Sequence, residues 1–111
     1  MFRFFQIAPE KNEAGLSKEE RDKRMAKMFH AAGADDARIP MGRHPSMHRT
    51  DSVDYIILLK GEVTALLDES EVRMKPFDVL IQRGTNHGWV NYGDEPALLV
   101  AVLVDAEPLP R

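Results

Sequence analysis

The chain contains no cysteine. A disulfide framework, a thiolate zinc site and a cysteine nucleophile are therefore excluded, and the usual mark of a small secreted domain is missing. Long apolar runs are missing too. The most apolar stretch, residues 97–104, falls well short of the about 20 residues a membrane helix needs. The opening Met1-Phe2-Arg3-Phe4-Phe5-Gln6-Ile7 is too brief for a signal-peptide core, lacks a small-residue cleavage site, and is followed by Glu10 and Glu13. There is no large excess of one charge: 15 basic residues stand against 18 acidic ones, a net charge of −3. Basic residues interleave with acids, as in Lys18-Glu19-Glu20-Arg21-Asp22-Lys23-Arg24, which describes a solvated surface and not a phosphate-binding stripe. Internal repeats and low-complexity segments are also absent. These absences predict a cytoplasmic protein with no nucleic-acid partner and no membrane.

What is present suffices for one core. A chain of 111 residues with 43% apolar content predicts a single domain over 1–111. Residues 2–7 are aromatic-rich and end before Pro9, which predicts a strand. Residues 17–32 predict an amphipathic helix. Ser17 and Glu20 form a capping box, and Gly33 follows as a C-terminal stop. Leu16, Met25, Met28, Phe29 and Ala32 can share its apolar face. That face either packs on the outside of a sheet or serves as a lid or dimer contact; methionines adapt to either use. Residues 37–41 predict a short strand and 42–48 a loop. From Ser52 onward the texture changes. Residues 53–60, 63–67, 72–75, 78–83, 88–91 and 97–104 are short, rich in Val, Ile and Leu, and separated by turn residues such as Lys60-Gly61 and Lys75-Pro76. Such spacing predicts an all-β sandwich or barrel. Residues 107–111 predict an extended tail.

Asp54 is the most informative residue. It lies in the otherwise apolar run Val53-Asp54-Tyr55-Ile56-Ile57-Leu58-Leu59 and shares a strand face with Ile56 and Leu58. That face should be buried, and a buried carboxylate is costly unless paired or bound to a cation. His48 lies upstream across a loop, and His87 opens a later strand. Two histidines and one carboxylate are an ordinary ligand set for a first-row metal with open positions, so iron, manganese, nickel, cobalt and zinc all remain open as cofactors. His44 offers a fourth ligand. The competing structural roles are an Asp54 salt bridge to Arg49 or Arg83, or a hydrogen bond from a Thr or Tyr hydroxyl. His30 near a helix C-terminus complements the helix dipole.

The stretch from His48 through Thr50 and Asp54 to Gly61, followed by Gln82-Arg83-Gly84-Thr85-Asn86-His87 and Asn91, resembles the two sequence motifs of the cupin superfamily. The similarity runs over residues 45–104. His48, Asp54 and Gly61 stand at the first motif's histidine, glutamate and glycine positions. Gly84, His87 and Asn91 match the second motif. Thr50 replaces the second histidine, Gln82 replaces a proline, and Phe77-Asp78 replaces a glycine-aspartate pair. The resemblance implies a double-stranded β-helix, or jelly-roll barrel, over 45–106, preceded by a strand, helix and loop over 1–44. It also implies a divalent metal on His48, Asp54 and His87. A small subgroup resembles this chain, some of whose members accompany polyketide or aromatic pathways and have longer N-terminal regions; the segment before Phe2 is thus a place where a longer chain is expected.

With His87 pointing inward, Trp89 and Asn91 do so as well by alternation. The expected pocket comprises Thr50, Ile56, Leu58, Gln82, Trp89 and Asn91, with Asp54 and Gln82 as candidate catalytic groups; the alternative for Trp89 is plain core packing. Such a pocket suits a small oxygenated or aromatic ligand. Two functions follow: a metal-dependent lyase, isomerase, decarboxylase or dioxygenase, or a non-catalytic barrel that binds a small molecule with weak or no metal. Tyr55, Ile57 and Leu59 on the opposite face need cover, which predicts a homodimer.

Overall fold

The structure, a computed structural model, describes residues 1–31, 37 and 44–108. Two sheets face each other in a jelly-roll arrangement. The first has the order β1 (Phe2–Ile7), β7 (Ala97–Asp105), β2 (Ser52–Lys60), β5 (Val79–Arg83). The second has the order β4 (Glu71–Met74), β3 (Val63–Leu66), β6 (Gly88–Val90). All the strand pairs are antiparallel. A 3-10 turn, Glu10–Glu13, and the helix α1, Lys18–Ala31, lie between β1 and β2. No helix among the described residues is long and apolar enough to cross a membrane.

The six expected β-rich segments after Ser52 are all strands, as is the first. Their physical basis is the alternation read from the sequence. Along β2, Ser52, Asp54, Ile56 and Leu58 are buried while Tyr55 is exposed. Ile56 and Leu58 meet Val63, Ala65, Met74 and Trp89 from the second sheet, and Ala97, Leu99 and Ala101 from β7. The core is therefore the space between the two inner faces. The outer face of the first sheet carries Phe2, Phe4, Tyr55, Val79, Ile81 and Val104, all exposed.

The helix begins as its capping box requires. The Glu20 amide donates to Ser17 Oγ at 3.1 Å, and the Ser17 hydroxyl lies 3.2 Å from Glu20 Oε1. The expected stop at Gly33, the short strand over 37–41 and part of the following loop fall outside the described residues, except for Ala37 and 44–48. No residue of α1 is buried, so this helix is not packed flat on a sheet. The 3-10 turn was not expected; Pro9 hid it by marking the end of β1.

Phe77 shows where a glycine is missing. It sits in the turn between β4 and β5 with φ of 74°, a left-handed value. Pro76 precedes it, and the Asp78 amide donates to Lys75 O at 3.0 Å. A left-handed conformation costs a residue with a Cβ about 1–2 kcal/mol, and Phe77 is 78% exposed, so burial returns nothing. Phe77→Gly is expected to raise stability by about 0.5–1 kcal/mol after the entropy lost by glycine on folding. The check is the urea midpoint. A lower midpoint would mean that the ring makes a stabilising contact.

Candidate metal centre and its cavity

His48 and His87 face each other across an isolated antiparallel bridge. The His48 amide donates to His87 O at 2.7 Å, and the His87 amide to His48 O at 2.9 Å. Residues that exchange both backbone bonds project side chains to the same face. The two imidazoles are accordingly adjacent, with ring centroids 4.0 Å apart.

Each ring is held the same way. His48 Nδ1 lies 2.6 Å from Ser46 O, and His87 Nδ1 lies 2.9 Å from Thr85 O. A carbonyl only accepts, so each Nδ1 carries the hydrogen and donates. Each Nε2 then keeps a free lone pair. Anchoring one ring nitrogen on a carbonyl is how proteins orient metal-binding histidines.

Burial pushes His87 down to about 3; neighbouring His48 pushes the same way, and the Thr85 carbonyl opposes both. Burial also lowers His48, against the raising effects of the Ser46 carbonyl and Asp54. Both rings are neutral at pH 7, as metal ligands must be. The sign of the stability effect follows. The folded value of His87 lies below its unfolded value of 6.5, so protonation favours the unfolded chain. The stabilising contribution is complete above pH 6.5 and is lost as pH falls toward about 3. The slope within that window is about 1.4 kcal/mol per pH unit for His87. Metal-free protein should therefore show a urea midpoint that falls with acidification, and His87→Gln should flatten the fall. An unchanged slope in the variant would assign the acid sensitivity elsewhere.

Asp54 is 3% exposed. The Ser52 hydroxyl donates to its Oδ1, and Thr50 Oγ1 lies 2.8 Å from Ser52 Oγ. The expected pairing with Arg49 or Arg83 is not made. Arg49 reaches Asn86 Oδ1 at 3.4 Å, and Arg83 is exposed. The partner is a hydroxyl, as one alternative required, but from serine two residues away on the same strand face. Among the described residues no three His, Asp or Glu side chains gather closely enough to enclose an ion. The structure thus joins two members of the expected triad and places the third on the wall of the same cavity.

That cavity has a volume of about 440 Å³. His48, Thr50, Asp54 and His87 line it together with Ile56, Trp89, Ala101 and Leu103. Helix α1 supplies Met25, Met28 and Phe29 to the wall, and the Phe29 ring lies 5.3 Å from that of His48. The helix therefore reaches His48 across the cavity. Two neutral imidazoles with free Nε2 lone pairs are the part of a divalent-metal ligand set that the structure brings together, while Asp54 lines the same cavity without joining them in a three-ligand cluster.

Several expected members are placed elsewhere. His44 is not a further ligand: Nε2 lies 2.7 Å from Glu10 Oε2, and Nδ1 accepts from the Ser46 amide at 3.1 Å, so both ring nitrogens are used. Gln82 pairs with Asp54 in register but lines a separate cavity of about 290 Å³, so its expected place in the substrate pocket is corrected. Leu58 is wholly buried in the core. Asn91 borders the main cavity, yet its amide is consumed by backbone bonds. Trp89 belongs to both the core and the cavity wall. Sequence reading missed Arg3, which lines the cavity. Its parity with Phe5 and Ile7 was the available signal. Ser46, whose hydroxyl bridges the Trp89 amide and carbonyl at 3.0 and 3.2 Å, carried no signal.

A family model described as a cupin domain matches residues 36–103. The chain is 43% identical over 70 residues to the phomopsin biosynthesis cluster protein C' of Diaporthe leptostromiformis, covering 61% of this chain and 37% of that protein. It is 40% identical over 67 residues to the cupin-domain-containing oxidoreductase virC of Hypocrea virens, covering 57% of this chain and 34% of that protein. The chain thus spans about a third of the length of these curated relatives. A Cupin 2 conserved barrel domain protein from Salinispora arenicola aligns with a TM-score of 0.47 at 27% identity, over 50% of this chain and 47% of the other.

Proposed function

The chain belongs to the cupin family, and from that premise we propose that it acts as a metal-dependent enzyme on a small oxygenated or aromatic metabolite. The observation that carries this reading is the pair of neutral histidines, each with Nδ1 tied to a carbonyl and Nε2 free, on the wall of a cavity. The oxidoreductase names of relatives such as virC support redox chemistry as the reaction class. His48 and His87 would hold the metal, with Asp54 as the third ligand or as the proton acceptor. Bound there, a divalent metal supplies Lewis-acid polarisation of a substrate oxygen, and iron would add dioxygen chemistry.

The chain's own residues do the rest. The Ser46 and Thr85 carbonyls hold the two imidazoles in one tautomer. Ser52 holds Asp54 Oδ1; turning that hydroxyl away would free the carboxylate to take a proton from a bound substrate. Trp89 and Phe29 keep water from the histidine pair. The proposed assembly is a homodimer joined through the apolar outer face of the first sheet.

Tag-free protein purified without added metal is expected to carry about one equivalent of transition metal by elemental analysis. His87→Ala and Asp54→Ala should each reduce this roughly a hundredfold in affinity or more, with circular dichroism unchanged. Stoichiometric metal retained in both variants would overturn the reading. The second reading, a non-catalytic small-molecule barrel, is favoured by one observation: the Thr50–Ser52–Asp54 chain engages the carboxylate without a metal. Metal-free protein that also fails to take up iron, manganese, nickel, cobalt or zinc on titration would select it.

A further inference from the structure

We infer that Arg3 anchors the carboxylate of the cavity's ligand, which makes that ligand a small aromatic or otherwise apolar monocarboxylate. This rests on reading the cavity as a ligand site. Strand β1 alternates, and Phe5 and Ile7 pack against the core, so Arg3 belongs to the same inner face. Arg3 pairs with Ala101, which pairs with Ile56 on β2. This row lies beside the row of Leu103 and Asp54, and all five residues line the cavity.

Charge accounting singles Arg3 out. Glu10 is held by Arg21 and His44 and Glu13 by Arg24, whereas Asp54 accepts only from the neutral Ser52 hydroxyl and keeps its charge. Arg3 has no hydrogen-bond or ion-pair partner among the described residues. Arg3 is exposed, so the cavity wall offers an unpaired guanidinium at its solvent-facing edge. Phe5, Met25, Phe29, Trp89 and Leu103 make most of the remaining wall apolar. A guanidinium recognises a carboxylate through two parallel N–H···O bonds. The Asp54 carboxylate on the same wall repels further negative charge, which favours a monocarboxylate over a phosphate dianion. The aromatic walls favour a ring or an unsaturated chain behind it.

The chain has a single tryptophan, and Trp89 lines this cavity. Its fluorescence reports occupancy without any reaction. The experiment titrates the 111-residue chain, as purified, with benzoate and with benzamide, its neutral isostere. Benzoate is expected to quench Trp89 with about tenfold higher affinity than benzamide, as a charge-assisted pair supplies. Arg3→Gln should remove that preference by weakening benzoate about tenfold and leaving benzamide unchanged, and Arg3→Lys should keep part of it. A preference that survives in Arg3→Gln overturns the assignment. Equal binding of the two probes to the wild type also overturns it, while leaving the cavity as a ligand site. Quenching by neither probe overturns both the assignment and that site.

Discussion

Asn91→Ala is expected to lower the unfolding free energy by about 3–5 kcal/mol. Asn91 is 0% exposed. Its Nδ2 donates to Ile7 O at 3.0 Å and to Glu95 O at 2.7 Å, and its Oδ1 accepts from the Gly93 amide at 2.8 Å. Its own carbonyl accepts from the Glu10 amide at 2.7 Å. One side chain thus ties the end of β1 and the turn before β7 to the end of β6. Alanine would leave two carbonyls and one amide without partners, each costing about 1–3 kcal/mol, partly relieved where water enters. It would also leave a void. Asn91→Asp keeps Oδ1 as an acceptor but turns a buried carboxylate oxygen on the Ile7 and Glu95 carbonyls, so it is expected to cost at least as much. Urea unfolding followed by circular dichroism makes the check. A loss under about 1 kcal/mol for the alanine variant would mean that water replaces all three bonds.

The role of Asn91 shows how sequence reading divides into what it reaches and what it misses. Strand parity reached Asp54. A carboxylate at an inward position among Ile56 and Leu58 is costly, and it is indeed buried on the cavity wall. The same parity put Trp89 inside and Tyr55 outside. The Ser17–Glu20 pair marked the helix start because a cap is a local contact. Parity says which face a residue occupies, but not which neighbour its polar atoms find. Asn91 borders the cavity and spends its amide on Ile7 and Glu95, 84 and 4 residues away in the chain. His44 carries the same chemistry as His48, yet Glu10 and Ser46 take its nitrogens. Gln82 stands opposite Asp54 in register and is still walled off in the smaller cavity. The decisive contacts here, Asn91 to Ile7, His44 to Glu10 and Gln82 opposite Asp54, join segments far apart in sequence, and local pattern does not encode them.

Helix α1 was legible as an amphipathic helix, but its use was not. Two faces are available to such a helix, and the hydrophobic pattern alone does not choose between a sheet and a cavity. The ion pairs Arg21–Glu10 and Arg24–Glu13 make the choice by tying the helix to the 3-10 turn. Met25 and Phe29 then face the cavity, and Phe29 reaches His48.

Gly88→Ala is expected to weaken metal binding about 10–100-fold and to cost about 1–3 kcal/mol of stability. Gly88 directly follows His87 and has no positive φ, so the requirement is one of space. A Cβ there would meet Ser46 Oγ at 2.5 Å, Met47 Sδ at 3.1 Å and the Met47 amide nitrogen at 3.2 Å. Ser46 cannot yield cheaply, because its hydroxyl holds the Trp89 amide and carbonyl and its own carbonyl holds the His48 ring. Pushing residues 46–48 away from β6 would open the bridge that sets His48 beside His87. The clash and the loss of site geometry therefore have one origin, and a double variant separates them from a general packing fault. Adding Ser46→Gly removes the closest clashing atom, so Gly88→Ala should cost less in that background than alone, a non-additive result. Metal affinity should recover in the same measurement, since the His48 and His87 backbone bonds can re-form. Additive stability losses with no recovery of affinity would mean that the close approach of residues 46–48 to Gly88 does not position the histidine pair.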